Sequence, residues 1–231
     1  MLSELDRKKI WDDFWKKQSS SGELIPTIIR WGRYYFSLIY VKFIRKHYIG
    51  SSILETGCGS AESTLLFARD NENIKDIVLL DFSSQSIKVS RKKSMTYGIA
   101  PHCILGDIFF IPLKHSSLDF VWNLGLLEHF DNPIPIIREM VRVSREGGRV
   151  VGIVPYKYAP IIFMAFLLKP FTRLTKGYDT FQTWEEAKQL WSPREYIQKF
   201  KEAGLKRVKV YIIFESFFFN MVIMGNKKRM K

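Results

Sequence analysis

Ser52-Ile53-Leu54-Glu55-Thr56-Gly57-Cys58-Gly59-Ser60-Ala61 runs from an apolar strand through a pair of glycines toward a helix. Glycine reaches backbone angles barred to other residues and lets a ligand approach the main chain closely. In open parallel sheets the ligand crevice lies at the carboxyl ends of the strands, where such a turn would sit. Downstream, short apolar strands alternate with helical stretches, the signature of an α/β fold with a parallel sheet. Asp76–Asp81 reads as a second strand, apolar enough to be buried on both faces, and Ser84–Tyr97 as a helix stopped by Gly98. His102–Leu105 and Leu118–Trp122 read as third and fourth strands. Asp131-Asn132-Pro133 then opens a helix expected to reach Arg145 and stop at Gly147-Gly148, before a fifth strand over Arg149–Val154. Ser192-Pro193-Arg194-Glu195 is a capping box, with Gly204 closing its helix. Lys206–Phe214 and Phe217–Met224 are predicted to finish as an antiparallel pair.

Two stretches stand outside this alternation: residues 1–49, read as an N-terminal helical cap, and 155–190, read as a helical insertion within the 50–231 domain. They are also chemically distinct. Of the 231 residues 46% are hydrophobic, enough for one substantial core and incompatible with a disordered or disulfide-scaffold protein. The net charge of +13 is unevenly spread: residues 1–50 carry 10 basic and 5 acidic side chains, 51–154 carry 11 and 12, and 155–231 carry 15 and 6. The flanks also hold 26 of the 34 aromatic residues. A basic surplus points to an anionic partner, whether nucleic acid, membrane surface or acidic metabolite. The N-terminus lacks the pattern of a secretory signal, and no apolar run approaches the roughly 20 residues a spanning helix needs. A cytoplasmic protein is the expectation. Cys58 and Cys103 show neither metal-ligand nor disulfide spacing, so no metal site is expected.

The chemistry concentrates at three successive strand ends. After the glycine turn comes Asp81, suited to accept hydrogen bonds from ribose hydroxyls, and then Asp107, suited to accept from an adenine amino group. Either aspartate alone would also serve as a turn or cap residue. A nicotinamide-dinucleotide loop would need a small residue at position 62, where Glu62 stands and would repel a pyrophosphate at the helix N-terminus. An adenosine-containing ligand without phosphates fits better.

These elements, with Gly106-Asp107-Ile108, Leu118-Asp119-Phe120-Val121-Trp122-Asn123, Leu127-Glu128-His129 and Arg138-Glu139-Met140-Val141-Arg142-Val143, resemble the class I S-adenosylmethionine-dependent methyltransferases that act on small molecules. The resemblance covers residues 50–225 and implies a doubly wound, Rossmann-like sheet of seven strands, mostly parallel, the last antiparallel. It implies that Glu55, Gly57, Cys58 and Gly59 hold the methionyl part of S-adenosylmethionine. By the same likeness Asp81 binds the ribose hydroxyls, Phe82 beside it also meets the cofactor, Asp107 and Ile108 address the adenine, and Asn123 lies by the methionyl amine and the transferring methyl. Ala61 departs from the family, which usually has a third glycine there.

The implied reaction is methyl transfer to a small-molecule acceptor, apolar or anionic, with His129 the candidate base and Glu128 and Tyr156 behind it. The basic, aromatic flanks are expected to roof the acceptor, and residues 158–176 to form a lid or an interfacial helix on a membrane or other anionic surface. Nucleic acid is disfavoured as acceptor, because Asn123-Leu124-Gly125-Leu126 lacks the proline and aromatic of base amino-methylases. An RNA-directed methyltransferase and a non-catalytic adenosyl-binding protein are the alternatives.

Overall fold

The computed structural model describes residues 4–19, 24–160, 190–216 and 219–229. Two helices, α1 (Glu4–Ser19) and α2 (Leu24–His47), precede the sheet. The chain then alternates β1 (Ser52–Thr56), α3 (Glu62–Arg69), β2 (Asp76–Asp81), α4 (Ser84–Thr96), β3 (His102–Leu105) and β4 (Leu118–Leu124). A 3-10 turn over Leu127–His129 leads to α5 (Ile134–Val143), β5 (Ser144–Pro155), α6 (Pro193–Glu202), β6 (Leu205–Ile212) and β7 (Asn220–Lys227). The strand order is β3-β2-β1-β4-β5-β7-β6, parallel except that β7 runs antiparallel to both neighbours. This is the seven-stranded, doubly wound sheet that the sequence implied. The expected insertion falls largely on 161–189, outside the described residues.

Strand alternation sorts the core into two layers. Leu54, Val78, Leu80, Val121, Val150 and Ile223 face α5 and α6. Ile53, Phe120, Trp122, Val151, Ile153 and Val222 face the other way, onto Phe67 of α3 and Ile39, Tyr40 and Ile44 of α2. The second half of α2 therefore shares the main core with the sheet. Local chemistry sets the helix ends. Ser83 accepts the Ser86 amide to cap α4, the Asn132 side chain accepts the Ile134 amide before α5, and the Ser192–Glu195 capping box opens α6 as read.

Three boundaries differ from expectation. β4 runs two residues beyond Trp122, because Asn123 and Leu124 find partners in Gly152 and Ile153. α5 stops at Val143 rather than Arg145, since Ser144 already pairs with Leu118 and the next pairing is Phe120 with Arg149. The glycines at 147–148 thus serve an irregularity within the strand pairing; Gly147 has φ +74°, and a side chain on Gly148 would meet Ser144 Oγ at 2.5 Å. The last pair also shifts. β6 begins at Leu205 and ends at Ile212, and a 3-10 turn over Phe214–Ser216 delays β7 to Asn220.

Asp119 ties the start of β4 to the entry of β1. Its Oδ2 accepts the Ser51 amide at 2.9 Å and the Ser52 hydroxyl at 2.8 Å, while Oδ1 accepts Arg145 Nη1 at 2.8 Å. Partial burial works to raise this carboxyl, but the Ser51 amide, the Ser52 hydroxyl and Arg145 outweigh it and hold it below the usual carboxylate range. A depressed carboxylate adds stability that is full above its unfolded pKa and is lost as pH falls through its folded one. Asp119→Ala is expected to cost about 2 kcal/mol at pH 7, with the deficit against wild type shrinking on acidification below the ordinary carboxylate range. Urea midpoints measured along a pH series check both; a deficit unchanged by acid would remove the carboxylate from the account.

Candidate active site

The turn between β1 and α3 folds back on itself. Cys58 N donates to Leu80 O at 3.0 Å, Ala61 N to Cys58 O at 2.7 Å, and Gly59 N to Asp81 Oδ2 at 2.9 Å. Gly57 and Gly59 are both left-handed, with φ +63° and +52°. Side chains there would lie 2.8 Å from Leu126 and 2.4 Å from Trp15, so both places demand glycine for space as well as angle. Ala61 is also left-handed, at φ +53°, which explains why a third glycine would be at home. An alanine holds that conformation at a cost of about 1 kcal/mol.

Above this turn, at the carboxyl ends of β1, β2 and β4, lies a cavity of about 500 Å³. Nine residues expected from the sequence line it: Glu55, Gly57, Cys58, Gly59, Asp81, Phe82, Asp107, Ile108 and His129. Asn123 is the exception. Its neighbours Trp122 and Leu124 point toward the α2 layer, so alternation along β4 sends Asn123 to the opposite face, where Nδ2 meets Met140 Sδ of α5 at 3.4 Å. Leu124, Gly125 and Leu126 supply the cavity wall at this point instead.

The ionisable groups are strongly conditioned. Asp81 accepts Gly59 N on Oδ2 and Ser83 N on Oδ1, each at 2.9 Å. Asp107 Oδ1 accepts Phe109 N at 2.9 Å. Burial pushes the Cys58 thiol up, so it is no nucleophile at neutral pH. Burial likewise pushes Glu55 up to about 8, against a hydrogen bond from Thr64, whose hydroxyl oxygen in turn accepts Trp122 Nε1 at 3.0 Å. Glu55 Oε2 is buried with no hydrogen-bond partner among the described residues. A cationic amine brought into the cavity would satisfy it, and the methionyl end of S-adenosylmethionine carries one. The residues present thus fit that cofactor.

α1 and α2 roof the cavity. Asp12 of α1 accepts the Ser83 hydroxyl and the Gln85 amide at the start of α4, docking the helix there. Trp11, Phe14 and Trp15 pack edge to face in series, and His129 meets Trp11 edge-on at 5.2 Å between ring centres. The Arg33 guanidinium of α2 lies 5.3 Å from the ring centres of both Phe14 and Trp15. Sequence reasoning missed Tyr40 and Asn220 as wall residues, although Asn220 interrupts the apolar run 217–224, which is a legible signal. Glu62, whose charge argued against a dinucleotide, pairs with Lys93 and accepts the Tyr97 hydroxyl.

Residues 54–152 match the family model for a methyltransferase domain. A demethylmenaquinone methyltransferase of Bacillus velezensis is 27% identical over 175 residues, covering 70% of this chain and 74% of its own. Among solved structures, a SAM-dependent methyltransferase of Thermotoga maritima superposes with a TM-score of 0.66 at 16% identity, over 89% of this chain and 96% of its own. Magnesium protoporphyrin IX methyltransferase of Synechocystis, solved with bound SAH, gives 0.63 at 15% identity over 94% of each chain. Doubly wound sheet, glycine turn and strand-end acids define a methyltransferase fold. With the match to a methyltransferase domain over residues 54–152, they support an S-adenosylmethionine-dependent methyltransferase.

A proton inventory tests Glu55. Carrying a proton at pH 7 in the free protein, it should release one when a cationic amine arrives, because the neighbouring charge favours the carboxylate. Calorimetry with S-adenosylhomocysteine in buffers of different ionisation enthalpy should show proton release and affinity rising between pH 6 and 7.5. Glu55→Gln should abolish both; an unaltered proton count would place the amine elsewhere.

Proposed function

We propose that this methyltransferase acts on a small apolar or anionic acceptor held beneath α1 and α2, with the methionyl amine of the cofactor at Glu55, its ribose at Asp81 and Phe82, and its adenine at Asp107 and Ile108. The cofactor supplies an electrophilic methyl group on a sulfonium, so the chain's task is alignment, water exclusion and handling of a proton. The observation carrying the reading is the two-part cavity. One wall is a polar backbone cradle, and the other is aromatic, built from Trp11, Phe14, Phe36, Tyr40 and Phe219. Packed rings exclude water and hold a flat or apolar body, while Arg33 between Phe14 and Trp15 suits a carboxylate or phosphate on it. The relatives named as demethylmenaquinone methyltransferases support an apolar acceptor without fixing its identity.

Contact with an anionic lipid surface belongs to the same reading. α2 contains no acidic residue and turns Trp31, Tyr35 and Leu38 outward, 69%, 50% and 40% exposed. Among the described residues no helix is long and apolar enough to cross a membrane, so such contact would be peripheral.

An acceptor screen following S-adenosylhomocysteine release tests the core of this. Turnover is expected with aromatic or lipid-like compounds, and Arg33→Met should lower kcat/KM about tenfold for anionic acceptors while sparing neutral ones. Turnover with RNA alone would replace the small-molecule reading. Co-sedimentation with phosphatidylglycerol vesicles but not phosphatidylcholine vesicles is the result expected for the surface; equal recovery with both would remove its electrostatic basis.

A further inference from the structure

The cavity wall carries two buried carboxyl groups, Glu55 and Glu128, each 3% exposed. In each, Oε2 lacks a hydrogen-bond partner among the described residues. A buried carboxyl oxygen without a partner is costly to keep, so a chain that holds two at one cavity is poised to have them satisfied by what binds there. Glu55 sits at the end of β1 beside the glycine turn, on the cofactor's side. Glu128 sits in the 3-10 turn after β4, and no part of the expected cofactor set falls to it.

Its surroundings come from other elements. Tyr40 of α2 and Asn220 of β7 share the wall with it, and Asn220 Nδ2 donates to Tyr40 Oη at 2.6 Å. That bond uses the tyrosine as an acceptor and leaves its own O–H to donate. Phe36, Leu126, Pro155 and Phe219 complete an apolar wall around them. Tyr196 of α6, buried with its hydroxyl unpartnered in the described residues, lies within electrostatic reach of Glu128. Burial raises the Glu128 carboxyl above its usual range and so makes it a stronger base than an exposed glutamate. His129, the neighbouring residue, instead packs its ring against Trp11.

Given the small-molecule reading of the cavity, on which this rests, we propose that the acceptor is protic and that Glu128 Oε2 takes the proton from its O–H or N–H group. The acceptor's heteroatom gives its proton to the carboxylate and its electron pair to the incoming methyl carbon. The C–S bonding pair remains on sulfur. The sulfonium thereby becomes a neutral thioether and the carboxylate a carboxylic acid, so charge and atoms balance without a further reactant. Glu128 is on this account a catalytic residue, and Tyr40, fixed by Asn220, is a positioning one.

The test compares 2-naphthol with 2-methoxynaphthalene, which differ by the proton in question, as ligands of the protein saturated with S-adenosylhomocysteine. Wild type should bind 2-naphthol about tenfold more tightly, the worth of one hydrogen bond to a charged acceptor. Glu128→Gln should retain S-adenosylhomocysteine affinity and bring that ratio to within about threefold. If that variant does not fold, Glu128→Asp, which withdraws the charge by one methylene, should also narrow the ratio. Equal binding of both naphthalenes by wild type, or a ratio unchanged in the variants, would overturn the role of Glu128 while leaving the aromatic cavity in place. Binding of neither compound would overturn it together with the small-molecule reading.

Discussion

The carboxylate of Asp81 holds the site together. It ends β2, yet its two oxygens reach across to Gly59 N in the preceding loop and to Ser83 N in the following one. Ser83 then caps α4 and donates to Asp12 of α1, so one buried charge connects sheet, glycine turn and roof. Burial raises this carboxyl even though the amides of Ser83 and Gly59 oppose the shift. Replacing such a group would loosen three segments at once, although Ser86 Oγ also ties α4 to the turn through Gly59 O. The ribose-binding role proposed for Asp81 would therefore share one carboxylate with its structural role.

The glycine-turn half of the cavity was legible because its residues lie at successive strand ends along the chain. A strand, two glycines and an acid at the end of the next strand are read along the chain, and the structure brings Glu55, Gly59, Asp81 and Asp107 to one cavity. Asn123 does not line the cavity, for a reason the same sequence contains: alternation along β4 assigns it to the α5 face, opposite Trp122. Counting faces from the buried tryptophan would have turned it away. Tyr40 and Asn220 could not be paired by inspection, since 180 positions separate them and only the folded sheet makes them neighbours. The glycines at 147–148 misled the boundary of α5, because glycine serves both helix ends and irregular strand pairing.

The basic surplus of the flanks divides in the same way. Part of it is structural: Lys227 of β7 donates to Ser144 O at 2.8 Å and Arg45 of α2 pairs with Asp70 at 3.8 Å, satisfying carbonyls and charges outside the cavity. Part faces the site through Arg33, and part lies along the acid-free α2. A net charge is thus a poor guide until each cation has been assigned to a neighbour.

The place of β7 governs how the molecule can be assembled. It follows every other strand in the chain, yet it lies between β5 and β6 rather than at an edge. During synthesis β5 must wait with an open flank, its apolar Val150, Ile153 and Val154 unpaired on that side, until residues 220–227 emerge. The site waits as well, because Asn220 arrives with that strand. A nascent chain therefore cannot build the cavity piecemeal: its Tyr40–Asn220 wall is completed by the same late step that closes the sheet.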